Sequence, residues 1–95
     1  MGNYPLAARF AENLRVVRAR AKLSQEDVAF RAGIHRTQIS LLERGDRLPR
    51  VETLVKLAGA LEITPNDLLD GIAFKPPPVI RVGEFQIDDG EQDRG

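Results

Sequence analysis

Few side chains in this 95-residue chain are equipped for covalent chemistry. It has one histidine and no cysteine, which excludes disulfides, thiolate metal sites and a cysteine nucleophile. A lone His35 also excludes a multi-histidine zinc site. Ser24 and Ser40 lack a second histidine to act as base. No glycine-rich phosphate loop or metal-ligand pair is present. The reading is a non-enzyme without cofactor or metal. What remains is guanidinium chemistry. Ten basic residues (Arg9, Arg15, Arg18, Arg20, Lys22, Arg31, Arg36, Arg44, Arg47, Arg50) stand against five acidic ones within 9–50, a local charge of +5 in a formally neutral chain. Residues 76–95 hold two basic and five acidic side chains. A cationic stretch beside an acidic tail suits a polyanion ligand, although a solvated mixed surface has the same composition.

These arginines need elements to hold them. Phe10, Leu14, Val17 and Ala21 form one stripe of an amphipathic helix, expected from about Leu6 to Ala21, with Pro5 near its start. Ser24, followed by Glu26 and Asp27, signals a capped second helix running to about Ala32. Gly33 stops it by taking a positive φ. A third helix is expected from Arg36 to Arg44, closed by Gly45. Val51, Leu54, Leu57, Ala58 and Leu61 mark a fourth. Thr64-Pro65-Asn66-Asp67 opens a fifth, closed by Gly71. This leaves little room for strands before residue 75.

Residues 1–75 therefore read as one domain and 76–95 as an appendage. Pro76-Pro77-Pro78 is a stiff spacer. Residues 79–87 read as a β segment. With Gly83-Glu84 as a two-residue turn, a hairpin pairs Val82 with Phe85 and Ile80 with Ile87. The alternative is one strand kinked at Gly83 and paired with another edge. Residues 88–95 read as an acidic disordered tail. No apolar run approaches the ~18–20 residues needed to cross a bilayer, and no export signal is visible. Leu6 stands where a myristoylation motif wants Ser or Thr. The expected location is the cytoplasm.

Helices two and three have helix-turn-helix spacing over 24–44. Ala29 is the small residue at the crossing, Gly33 the permissive turn residue, and Val28, Ile34, Ile39 and Leu42 the inward set. The run Ser24-Gln25-…-Val28-Ala29-…-Ala32-Gly33-Ile34-…-Ile39-Ser40-…-Leu42-Glu43-Arg44-Gly45 resembles the Cro/C1-type (Xre) DNA-binding domain of phage repressors. The string from Arg36 to Gly45 is particularly similar to controller proteins of restriction–modification systems. The resemblance continues through Glu52-Thr53-Leu54 and Leu61–Pro65 to Leu69. It implies an all-α, compact five-helix, lambda-repressor-like fold with a short C-terminal β extension, a transcriptional regulator, and double-stranded DNA as partner.

With Ile39 and Leu42 inward, the outer face of the recognition helix (36–44) presents Arg36, Thr37, Ser40, Leu41 and Arg44, its N-terminal end reaching base edges first. Arg36 suits guanine, Thr37 a donor, an acceptor or a thymine methyl, and Leu41 apolar contact. Gln38 suits adenine unless its angle turns it to the rim. The resemblance assigns Gln25 to phosphate. His35, Ser40, Arg44, Arg47 and Arg50 are further phosphate candidates. It also implies a buried ion pair between Arg18 and Glu43. Three positions depart from the family pattern. Lys22 replaces a frequent glycine, His35 a usual capping residue (a weak cap or a phosphate contact), and Arg50 a frequent capping serine.

A single recognition helix gives a small contact, so a homodimer on a pseudo-palindrome is expected. Leu69, Ile72, Phe74, Ile80, Val82, Phe85 and Ile87 are its candidate interface. The rival reading is an antitoxin or anti-repressor-like module whose residues 76–95 grip a protein partner.

Overall fold

The computed structural model describes residues 4–78 and 83–88. Five helices, α1 (Tyr4–Ala21), α2 (Gln25–Ala32), α3 (Arg36–Glu43), α4 (Val51–Leu61) and α5 (Pro65–Leu68), precede two strands, β1 (Ile72–Lys75) and β2 (Glu84–Ile87). The helices surround one core. Phe10 and Leu14 of α1 meet Val28 of α2, Ile39 and Leu42 of α3, Leu57 and Leu61 of α4, and Leu68 of α5. Ala29 and Ala32 let α2 approach its neighbours closely. The expected α1 stripe fades at its end: Val17 is half-buried and Ala21 exposed, while Ala7 and Ala11 join the buried face.

Local chemistry sets the helix ends. Ser24 Oγ accepts from the Asp27 N–H at 3.0 Å, and the Asp27 carboxylate accepts from the Ser24 N–H at 2.9 Å, so two otherwise orphaned donors at the start of α2 are satisfied. Those bonds from Ser24 hold the Asp27 carboxyl below its usual range, with Arg31 adding a smaller pull in the same direction. Gly33 closes α2 at φ 70°, a conformation costly to any residue bearing a Cβ. Lys22 adopts the left-handed region that its replacement of glycine implied, and so does Glu62 at the end of α4. Helix α5 is a single turn. The Asp67 carboxylate accepts from Thr64 N–H at 3.1 Å, and Asn13 Nδ2 donates to the carbonyls of Leu68 and Asp70 at 3.0 and 2.9 Å.

Of the two expected arrangements of the C-terminal extension, the strand after Gly83 takes the second and pairs with another edge. β1 lies before residue 75 and pairs antiparallel with β2 in the register Ile72↔Ile87, Ala73↔Gln86, Phe74↔Phe85 and Lys75↔Glu84. Phe85 therefore faces Phe74 and Ile87 faces Ile72. Glu84 is a strand residue rather than half of a turn. Ile80 and Val82 lie outside the described residues. A division at residue 75 cuts through this ribbon, and the prolines fall inside the connection between its strands. The physical reason is cover. Ile72 packs against the helical core, and β2 contacts α1, so the ribbon gains the buried root that an isolated hairpin at 79–87 would lack. The Phe74 ring fills the space that a Cβ at Gly83 would need.

Candidate nucleic-acid interface

The interface is built outward from a buried ion pair. Arg18 grips Glu43 with two bonds, Nε to Oε2 at 2.5 Å and Nη2 to Oε1 at 2.9 Å. Its Nη1 donates to the Leu23 carbonyl at 2.8 Å. The Glu43 side chain is only 4% exposed, so the fork of donors compensates most of its lost hydration. The bonds to Glu43 hold the Arg18 guanidinium above its ordinary value, against the opposing pull of burial. Arg15, not anticipated in the sequence, donates through Nη1 to the Glu43 backbone carbonyl. The C-terminal end of α3 is thereby tied to α1 at two points.

From Glu43 the network turns towards solvent. Gln25 Nε2 donates to Glu43 Oε1 at 3.0 Å, and Arg36 Nη1 donates to Gln25 Oε1 at 3.4 Å. Gln25, expected at phosphate, thus links the buried pair to the first residue of α3. Only its position on the α2–α3 side of the fold favours an additional anion contact.

Helix α3 presents what its spacing implies. Ile39, Leu42 and Glu43 are buried, Arg36, Thr37 and Gln38 are exposed, and Ser40 and Leu41 are half-buried at the margin. His35 is the N-cap, with Nδ1 accepting from the Thr37 N–H at 3.5 Å, a long bond that fits a weak cap. Gln38 turns to the rim. It lines a cleft with His35, Arg47, Arg50, Thr53 and Lys56, between the start of α3 and the start of α4. Arg50 supplies no side-chain cap to α4, which leaves its guanidinium at the edge of that cleft. Arg44 Nε meets Asp46 Oδ2 at 2.9 Å on the exposed surface. Such a pair contributes about 0–1 kcal/mol and yields readily to a stronger anion.

The sequence did not single out Thr53 and Lys56. The available signal was the Glu52–Lys56 spacing, which the fold realises as a 3.2 Å ion pair. The described residues of the expected apolar interface differ in their surroundings. Leu69 and Ile72 pack against the chain's own core. Phe74 and Phe85 stay 53% and 42% exposed, in edge-to-face contact with centroids 5.4 Å apart. Ile87 is half-buried. Among the described residues no group of three or more histidine, cysteine or acidic side chains could hold a metal, and no helix is long and apolar enough to cross a membrane.

A short helix held by its buried face, with arginine, threonine and glutamine at its free end and a cationic rim, defines a helix-turn-helix DNA-binding protein. The helix-turn-helix family model matches residues 14–68, and the chain belongs to that family, in its Cro/C1 branch. It is 40% identical over 62 residues to the control protein C.BamHI of Bacillus amyloliquefaciens, spanning 64% of this chain and 76% of that one. It is 44% identical over 59 residues to the control protein C.SmaI of Serratia marcescens, spanning 62% and 70%. Among solved structures, the restriction–modification controller protein C.AhdI of Aeromonas hydrophila superposes with a TM-score of 0.67 at 38% identity, covering 68% of this chain and 98% of that one. The protein is accordingly a transcription regulator rather than an enzyme. The ribbon lies beyond the family match, which ends at residue 68.

Proposed function

We propose that the protein binds a specific operator as a homodimer, each copy placing α3 in a major groove of a pseudo-palindrome with half-sites about one helical turn (~34 Å) apart. One observation carries this reading: Arg36, Thr37 and Gln38 are exposed at the start of α3 while Ile39, Leu42 and Glu43 anchor its other face. Arg36 forks onto guanine, Thr37 reads a neighbouring base, Leu41 makes apolar contact at the margin, and Gln38 reaches adenine from the rim. Arg44, Arg47 and Arg50 hold phosphates, with Ser40, His35 and Gln25 at the edges. The likeness to controller proteins supports regulation of a neighbouring promoter.

Selection of random duplexes by the purified protein tests the reading. A two-fold-symmetric enriched site is expected, and Arg36→Ala should erase preference at one base pair per half-site at a cost of about 1–3 kcal/mol. Enrichment of no sequence, or of an asymmetric site bound by one copy, would overturn it.

A second reading has its own support. The aromatic pair Phe74–Phe85 is solvent-facing and lies outside the family match, as a protein-binding extension of the antitoxin or anti-repressor kind requires. Retention of operator binding together with loss of a protein ligand on Phe85→Ser would favour it.

A further inference from the structure

The chain leaves the described fold at a fixed point. The Asp88 N–H donates to the Gly71 carbonyl at 2.6 Å. The Arg9 side chain of α1 stands against Gly71, with its Nε donating to the Asp70 carbonyl at 3.2 Å. Ala8, its neighbour in α1, supports the loop between α3 and α4: a Cβ at Gly45 would lie 3.6 Å from the Ala8 Cα. The exit of the chain and the base of that loop thus share one turn of α1. Two surfaces border the exit. The groove along α1 and α5 sets Arg9 and Arg20 against Glu12, Asp67 and Asp70, two cations against three acids. The loop over 44–50 sets Arg44, Arg47 and Arg50 against Asp46, three cations against one acid. Among the described residues Arg47 and Arg50 form no ion pair.

We propose that residues 89–95 of the free protein lie along the 44–50 loop, with Asp89, Glu91 and Asp93 facing Arg44, Arg47 and Arg50, and that a duplex must displace them. The inference rests on the operator reading above and adds an internal competitor to it. Three features of the sequence support this occupant. Residues 89–95 hold three acids against Arg94, so the loop attracts them and the groove, with its excess of acids, does not. The acids stand at every second position, which places them on one side of an extended chain, a row of negative charge like that of a phosphate backbone. The length suffices as well: seven residues reach up to ~23–25 Å, about twice the ~10–12 Å thickness of a helix. Acids that imitate phosphates imitate no base edge. The competition therefore lowers affinity for every sequence by the same factor and leaves discrimination to α3.

The chain has no cysteine, so Gln92→Cys gives a nitroxide label a single attachment point on the full chain. In the free protein the label should broaden the backbone amide signals of residues 44–47 more than those of Glu12 and Asp67 on the groove. An added duplex, or about 0.5 M salt, should restore them. In fluorescence anisotropy at low salt, the triple variant Asp89→Asn/Glu91→Gln/Asp93→Asn should bind operator and random duplexes about three- to tenfold more tightly, as three exposed ion pairs allow. That gain should shrink as salt rises. Broadening centred on the groove, or spread evenly over the surface, would overturn the contact. So would tighter binding without selective broadening, because the acids would then act only through net charge. Broadening in an unlabelled, isotope-enriched chain mixed with a labelled one would place the contact between copies instead of within one. An unchanged affinity in the triple variant would remove the competition while the operator reading stands. If neither the unaltered chain nor the triple variant selects any duplex, the operator reading itself fails, whatever the label reports.

Discussion

Arg18 and Glu43 are chemically a matched pair, but their losses should not be equivalent. Glu43 is 4% exposed at its side chain and Arg18 22%. Arg18→Ala leaves a carboxylate sealed from water and should cost about 3–5 kcal/mol in a urea melt. Glu43→Gln leaves a guanidinium that keeps the Leu23 carbonyl and has some access to solvent, so a smaller loss of about 1–3 kcal/mol is expected. The reverse order would show that Gln25 satisfies the Glu43 carboxylate without its main partner. Asp27 gives a pH signature. Its folded pKa is depressed by Ser24, so its stabilisation is present above the unfolded carboxylate range near ~3.9 and is lost as pH falls through the lower folded value. Asp27→Asn should flatten the decline of stability with acidification, and an unchanged slope would remove the capping box from the acid response. The ion pair was legible only through family resemblance, because 25 residues separate its members. The link from Gln25 to Arg36 depends on side-chain rotamers and has no periodicity to betray it.

At the scale of elements, the sequence and the fold agree wherever local physics decides the outcome. α2, α3 and α4 begin where their caps and first apolar residues imply. α1 begins two residues before the expected Leu6, and α3 ends one residue before the expected Arg44. The sequence leaves hairpin and edge pairing both open because the register depends on long-range cover. Gly83-Glu84 is a strong local turn signal, yet the competing pairing with Ile72–Lys75 anchors its root on the helical body. Val51 helps to mark α4 yet stays exposed, because periodicity shows that a position is apolar and not that it is buried. Arg50 makes a separable prediction. It occupies the N-cap of α4 without a side-chain cap bond, so Arg50→Ser should raise stability by about 0.5–2 kcal/mol. The same change should weaken binding to all DNA sequences alike, measured by fluorescence anisotropy on specific and random duplexes. Gained stability with unaltered affinity would remove Arg50 from the phosphate set.

For the molecule as a whole, a formal net charge of zero does not preclude binding a polyanion, because affinity follows the local field rather than the sum. Arg47, Arg50 and Lys56 line the face beside α3, while much of the acidic excess belongs to the sequence beyond residue 75. Salt titration separates the two kinds of contact on that face. Each phosphate neutralised steepens the fall of log affinity with log salt by about 0.9. Arg47→Ala should therefore lower the slope by about 1 and weaken specific and random duplexes together. Arg36→Ala should reduce discrimination between them with little change in slope. Arg44→Ala is intermediate, because the Arg44–Asp46 pair must open before its guanidinium meets a phosphate, and removing the arginine also frees an acid beside the duplex. Asp46→Asn removes that competition and should strengthen binding most at low ionic strength, where screening is weakest. A slope that none of these substitutions moves would place the phosphate contacts elsewhere on the molecule, even with α3 still reading bases.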